Sequence, residues 1–207
     1  LVYGIMNKMP LKGDGGMKQI LIDYMKQFSD LSEAELEKVA SEVDVASFPK
    51  GTVLLHQGEV PDRCFFILKG CIRKYTVDET GKETTFNFYT EEESVTIFSN
   101  GKESNYSLNC LEDCVLVVGD LSTEQESYDA NPALEAMTRK MIEGSMGQMH
   151  DEFAAYMSQA PEERFKTLME KRPGLIDRVP NYQLASYLGI TPESFSRIKK
   201  RLGSPQP

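Results

Sequence analysis

From Phe48 to about Leu121 the chain is cut into β-branched and aromatic runs of four to six residues, each followed by a turn signal. The runs are Thr52–Leu55, Phe65–Leu68, Ile72–Val77, Thr84–Tyr89 and Val115–Val118. Between them lie Pro49-Lys50-Gly51, Gln57-Gly58-Glu59, Lys69-Gly70, Asp78–Gly81 and Ser99-Asn100-Gly101. Segments this short cannot complete a stable helix, and turns at this spacing return the chain on itself. The pattern predicts an antiparallel β-sandwich or barrel-like roll.

Helices are expected on both sides of it. Ser29–Lys38 opens with Asp30 or Ser32 ahead of Glu33, Glu35 and Leu36, and acidic residues in a first turn suit the helix dipole. Downstream, Ile142, Met146, Met149, Phe153, Tyr156 and Ala160 recur in alternating steps of four and three, an a/d seam. Leu134, Met137 and Met141 extend this apolar face upstream. Such a helix could lie on its own β domain. The narrowness of the seam, with Glu143, Gln148, Asp151 and Glu152 opposite, favours pairing with a second copy. Ala160-Pro161 ends it, because proline is tolerated at the first position of a new helix but not inside one. Phe165, Leu168 and Met169 give the next helix an inward face, which Pro173-Gly174 closes.

The stretch NYQLASYLGITPESFSRIKKRL, residues 181–202, has the spacing of two short helices around a tight turn. Leu184 and Leu188 face inward with Ala185 at the crossing, Gly189 supplies a permissive turn residue, and Phe195 and Ile198 face inward from the second helix. Thr191 suits the N-cap and Pro192 the first helical position. The second helix then exposes Glu193, Ser194, Ser196, Arg197, Lys199, Lys200 and Arg201. Residues near the start of such a helix reach base edges in the major groove, and hydroxyls and lysines hold phosphates. Residues 178–203 hold five basic side chains against Glu193, whereas the whole chain carries −9. A small basic tip on an acidic body suits DNA contact at one end only.

Other chemistry finds little support. Cys64, Cys71, Cys110 and Cys114 form no C-x-x-C pair, and His56 and His150 are far apart, so buried thiols are favoured over a metal site. Cys110 and Cys114 could form a redox pair, but core packing is the simpler reading. There is no G-x-S-x-G, P-loop, H-E-x-x-H or dinucleotide fingerprint. Clustered histidine and glutamate ligands of a cupin-type enzyme are missing too. No catalytic site, metal or cofactor is therefore expected. No apolar run approaches the roughly 20 residues that span a bilayer, so a cytoplasmic protein is expected. Leu1–Gly16 shows no steady period and reads as a leader or an artificial extension.

This order of parts resembles the Crp/Fnr superfamily of bacterial transcription regulators. The resemblance covers roughly residues 29–203. It is carried by FPKGTVLLHQGEVPDRCFFILKGCIRKY (48–75), with Gly51, Gly58 and Gly70 at the turns, and by YLGITPESFSRIKKRL (187–202). It implies an α+β chain: an N-terminal antiparallel, jelly-roll-like β-roll (17–128), a long dimerisation helix (129–160) and a winged-helix-like helix-turn-helix domain (161–207). It implies a homodimer, joined through Met141, Ile142, Met146, Met149, Phe153 and Tyr156, bound to palindromic double-stranded DNA. RNA polymerase and a small-molecule effector are the further partners it implies. Glu193 and Arg197 fall at base-reading positions, and Thr191, Ser194 and Lys200 at phosphate contacts. Pro192 stands where the family often has an arginine.

Cyclic-nucleotide binders of this family use a Gly-Glu pair and a following Arg-Ser or Arg-Thr pair to grip the cyclic phosphate. The matching stretch here, residues 90–113, has Glu91-Glu92-Glu93 in place of the first and about Ser104, followed by Asn105, in place of the second. An effector pocket would thus involve Glu92, Ser94, Ser104 and Asn105. Three carboxylates would repel a phosphate, so no cyclic-nucleotide response is expected. The competing reading is a small-molecule sensor whose C-terminal helices contact protein.

Overall fold

The computed structural model describes residues 11–12, 15–26, 31–97, 101–122, 126, 128–129 and 132–202. The expected strands form, and the roll closes from two antiparallel sheets. One contains β1 (Leu11–Lys12), β2 (Asp44–Phe48), β9 (Cys114–Asp120), β4 (Arg63–Lys69) and β7 (Ser94–Thr96), in that order. The other runs β3 (Val53–Leu55), β8 (Ser107–Cys110), β5 (Ile72–Val77), β6 (Glu83–Tyr89). Part of the turn signal Ser99-Asn100-Gly101 lies outside the described residues.

The run Cys64–Leu68 is continuously apolar because β4 has no solvent face. Its side chains alternate across the sheet. Phe65 and Ile67 enter the roll with Ile72, Val95, Leu108 and Leu116, whereas Phe66 and Leu68 pack under α1 (Gly15–Met25) and α2 (Glu33–Glu42). Residues 1–16, set aside as a leader, are not wholly outside the fold. Leu11 pairs with Ser47 and Lys12 with Ala46, and α1 begins at Gly15, with Leu21, Ile22 and Met25 buried. Ser32, not Asp30, starts α2: its N–H donates to Glu35 Oε2 at 2.8 Å and its hydroxyl donates to the same oxygen at 2.6 Å.

Gly70 makes the β4–β5 turn at φ +112°, and a Cβ there would stand 2.5 Å from Cys114 Sγ. Backbone conformation and close approach both demand glycine. The cysteines pack accordingly. Cys71, Cys110 and Cys114 are buried, and burial pushes the Cys71 thiol up to about 12, far from the thiolate that nucleophilic or metal chemistry needs.

After the roll come α3 (Pro132–Ser158), α4 (Pro161–Lys171), α5 (Leu175–Arg178), α6 (Asn181–Tyr187) and α7 (Pro192–Leu202). α3 is about 40 Å long at 1.5 Å per residue. None of the described helices is long and apolar enough to cross a membrane. The helical region does not stand free of the roll. Phe165, Leu168, Leu175, Ile176, Leu184, Ala185, Leu188, Phe195 and Ile198 form one core that also takes in Cys71, Phe88 and Leu111.

Candidate nucleic-acid interface

The turn between α6 and α7 is built as its residue types require. Gly189 has φ +67°, its N–H donates to the Ser186 carbonyl at 3.1 Å, and the Ile190 N–H donates to the Ala185 carbonyl at 3.0 Å. This is the Schellman closure of a helix, which needs a left-handed residue after the cap. A second constraint was not visible in the sequence. A Cβ on Gly189 would lie 2.5 Å from the Tyr156 hydroxyl, so the turn is also a contact with the end of α3.

Thr191 then caps α7: its hydroxyl oxygen accepts from the Ser194 N–H at 3.2 Å. Phe195 and Ile198 fix the inward face, and Phe165 meets Phe195 edge-on at 5.4 Å. The outward face carries Pro192, Glu193, Ser196, Arg197, Lys200 and Arg201 exposed, with Ser194 and Lys199 half-buried. Local bonds already orient several of them. Arg197 Nη2 donates to Ser194 Oγ at 3.1 Å, Ser196 Oγ to the Pro192 carbonyl at 2.9 Å, and Lys199 Nζ to Asn181 Oδ1 at 3.3 Å. Arg201 pairs with Glu162. The Glu193 carboxyl is held below its usual range by its own backbone N–H and the Thr191 hydroxyl.

Arg178, counted with the basic tip from sequence, is not part of it. Its guanidinium donates to both Glu91 oxygens at 2.8 and 2.9 Å, and its Nε donates to Glu112 at 3.1 Å. Arg172 donates to Glu93 Oε2 at 2.9 Å and to the Phe88 carbonyl at 2.9 Å. The Thr85 N–H donates to Ser186 Oγ at 2.9 Å, and Phe88 meets Tyr187 edge-on at 5.4 Å. The helical domain is thus clamped to the roll by the Phe88–Tyr187 contact, the Thr85–Ser186 bond and two arginines. Burial of a phenylalanine such as Phe88 contributes about 1.5–3 kcal/mol.

Glu91 and Glu93, expected as a barrier to phosphate, pair with Arg178 and Arg172 of the helical domain, and Glu91 also accepts from the Gly70 N–H. Glu92 makes the turn at φ 68°. The four expected pocket residues sit in two separate segments. Glu92 and Ser94 follow β6, where the Glu92 N–H donates to the Ile67 carbonyl. Ser104 is buried against the β3–β4 turn, its N–H donating to the Glu59 carbonyl and its own carbonyl accepting from Gly58 N–H; exposed Asn105 follows it. Sequence reading overlooked Lys74, which lies 4.0 Å over the Tyr106 ring and whose pKa burial lowers. It also overlooked Arg172. Both belong to pairings or stacks that alternation along a strand or helix does not reveal.

Acid should weaken the clamp. Burial pushes Glu91 up, but the Arg178 guanidinium and the Gly70 N–H outweigh it and leave its pKa lowered. A carboxylate with a lowered folded value stabilises fully above its unfolded value, about 4.3, and loses that contribution as pH falls through the folded one. The melting-temperature gap between wild type and Glu91→Gln should be constant above about pH 5 and shrink below about pH 4. A gap that persists in acid would show that the Glu91 pairing does not govern it.

On α3, Met146, Met149 and Phe153 are 61, 58 and 64% exposed, and Met157 beside them is 69% exposed. Ile142 is half-buried, and the side chain of Met141 lies outside the described residues. Tyr156, placed in the seam from sequence, turns to the Gly189 turn and lies 4.5 Å under the Arg164 guanidinium.

Residues 45–124 match the family model of the cyclic nucleotide-binding domain. A comparison with curated protein sequences finds no match. Among solved structures, the chain is similar to FixK2 from Bradyrhizobium japonicum, with TM-score 0.66 and 15% identity over 78% of this chain and 84% of that one. It is similar to the c-di-GMP responsive global regulator CLP of Xanthomonas campestris, at 0.61 and 15% over 83% and 92%. A mutant of CooA from Carboxydothermus hydrogenoformans gives 0.61 and 16% over 88% and 85%. The architecture is thus a cyclic-nucleotide-binding-type roll followed by a helical C-terminal domain. The chain has the Crp/Fnr-like fold.

Proposed function

We propose that this chain is a homodimeric, sequence-specific DNA-binding transcription regulator of Crp/Fnr type, without a catalytic site and without a cyclic-nucleotide response. The observation that carries it is α7: a capped helix, anchored by Phe195 and Ile198, whose exposed face is polar and basic from Glu193 to Arg201. The free apolar stripe on α3 supports the dimer. Pairing along it would set two recognition helices about 34 Å apart for half-sites one DNA turn apart. Such a regulator would also meet RNA polymerase. Selection from a palindromic DNA library tests the reading; failure to enrich any palindrome would move the C-terminal helices to protein contact.

Arg197 and Lys200 should separate by function. Arg197 stands one turn into α7 with a planar fork that fits guanine O6 and N7. Arg197→Ala should cost about 1–3 kcal/mol per half-site and relax preference at one base pair. Lys200 lies farther along, so Lys200→Ala should weaken selected and scrambled duplexes alike and lower the salt slope by about one per subunit. The reverse pattern in titrations at several salt concentrations would mean that α7 enters the groove in another rotation.

Cyclic AMP and cyclic GMP should bind negligibly. Ser104 replaces the expected arginine. Arg73 is buried and committed to Glu83 at 2.5 Å and Thr85 Oγ1 at 2.9 Å. A cyclic phosphate left without a cation inside the roll is costly. Micromolar affinity in calorimetry would refute this and direct attention to Lys74.

A further inference from the structure

Where α3, α4 and α6 meet there is a cavity of about 60 Å³, lined in part by Tyr156, Arg164, Thr167, Lys171, Arg172 and Tyr187. That is well above the roughly 10–15 Å³ that one water needs. Two of the lining residues have unmet donors. Arg164 Nε and Arg172 Nη1 are buried and have no hydrogen-bond partner among the described residues. One other nitrogen of each guanidinium is bonded and holds the group in place. Arg164 Nη1 donates to the Tyr156 and Gln159 carbonyls at 3.1 and 3.2 Å, and Arg172 Nη2 to Glu93 and the Phe88 carbonyl.

Lys171 adds a third, exposed cation with no ion pair among the described residues, and the Thr167 hydroxyl is bonded to Gln159 at 3.2 Å. Glu93 is the carboxylate that answers this group, and it engages Arg172 alone of the three. Buried donors on a charged group are expensive to leave unmade, and guanidinium pairs best with a planar or tetrahedral oxyanion. The site is preorganised: Arg164 is stacked on Tyr156 and Arg172 is fixed to the roll.

We propose that this cavity binds a phosphate group, either inorganic phosphate or the phosphate of a small monoester, between Arg164, Lys171 and Arg172. The location gives the site a consequence that rests on the regulator reading. Arg164 touches the end of α3 and lies near the Gly189 turn, while Arg172 is bonded to the roll. A phosphate between them would tie seam helix, recognition turn and sensor roll together, and would shift the population toward one orientation of α7.

Calorimetry on the full chain with inorganic phosphate, with glycerol 3-phosphate and with sodium chloride at matched ionic strength tests the site without DNA. One phosphate per chain is expected beyond the chloride control. Lys171→Gln and Arg164→Lys should each weaken it roughly tenfold, the loss of one charge-assisted contact, while Lys38→Ala, at an exposed position on α2, leaves it unchanged. Lys171 is exposed, so its variant folds even if the Arg164 one does not. Tighter binding of the monoester would assign the ligand to a metabolite; tighter binding of inorganic phosphate would assign it to the free ion. Heats no larger than with chloride, insensitivity to Lys171→Gln, or loss in Lys38→Ala would overturn the proposal. Phosphate binding by a protein that selects no DNA would leave this site standing and remove the regulator reading; the opposite result would do the reverse.

Discussion

Replacing both Met149 and Phe153 by glutamate should turn the proposed dimer into monomers. Each side chain is more than half exposed on the single chain, on one face of a helix about 40 Å long. Apolar stripes of this kind mark association surfaces. In a two-fold pairing each substitution counts twice, so four apolar side chains would leave the seam and four carboxylates would enter it. At about 1.5 kcal/mol or more for each lost burial, the sum of roughly 6 kcal/mol corresponds to more than about four decades in Kd. Sedimentation should show the change directly, and affinity for a palindrome should fall with it because two half-sites are no longer read together. A dimer unaffected by both charges would place the interface elsewhere and leave α3 as a cover for its own domain.

The second large effect is expected from Arg178→Glu. Arg178 sits between Glu91 and Glu112, bonded to both. Reversal would put a third carboxylate between two others and leave Arg172–Glu93, the Thr85–Ser186 bond and the apolar contacts around Phe88 to hold the helical domain on the roll. The pair is part-buried. Its loss should fall between the about 1 kcal/mol of an exposed ion pair and the about 3–5 kcal/mol of a buried one. Hydrogen exchange should rise in β6 and α6 together, since Thr85 N–H and Ser186 join them. Within α7, protection should be kept, because Phe165, Leu184 and Phe195 still form its core. Arg178→Lys separates charge from geometry: it keeps the cation but loses the fork, and should show a smaller effect in the same elements. Unchanged exchange in the reversal variant would mean that the arginines decorate a contact made by the apolar residues alone.

Much of the architecture was legible because local pattern and fold agree. The turn glycines fall at positive φ, as at Gly70 and Gly189, and the strand runs between them appear as β3, β4, β5, β6 and β9. The Leu184–Ala185–Gly189–Thr191 spacing predicted two short helices around a tight turn because every step in it is a contact within a few residues: a closure at Ala185–Ile190, a cap at Thr191–Ser194. Short β2, β7 and β8 were less visible, since three to five residues beside charged or polar neighbours carry too little period to stand out.

Charge showed the opposite limit. The sequence determined that Glu91, Glu92 and Glu93 are adjacent and that arginines flank Pro173-Gly174, and from composition alone the carboxylates looked like a barrier to phosphate and Arg178 like part of a basic tip. Only the tertiary structure decided that these opposite charges meet. The pairs span 79 and 87 residues, and no periodicity along either segment encodes a partner at that distance. The same holds for Tyr156, which continues the seam in sequence but ends under Arg164 at the Gly189 turn. A heptad position fixes the face of a helix on which a residue lies. What that face meets depends on where the next helix folds back.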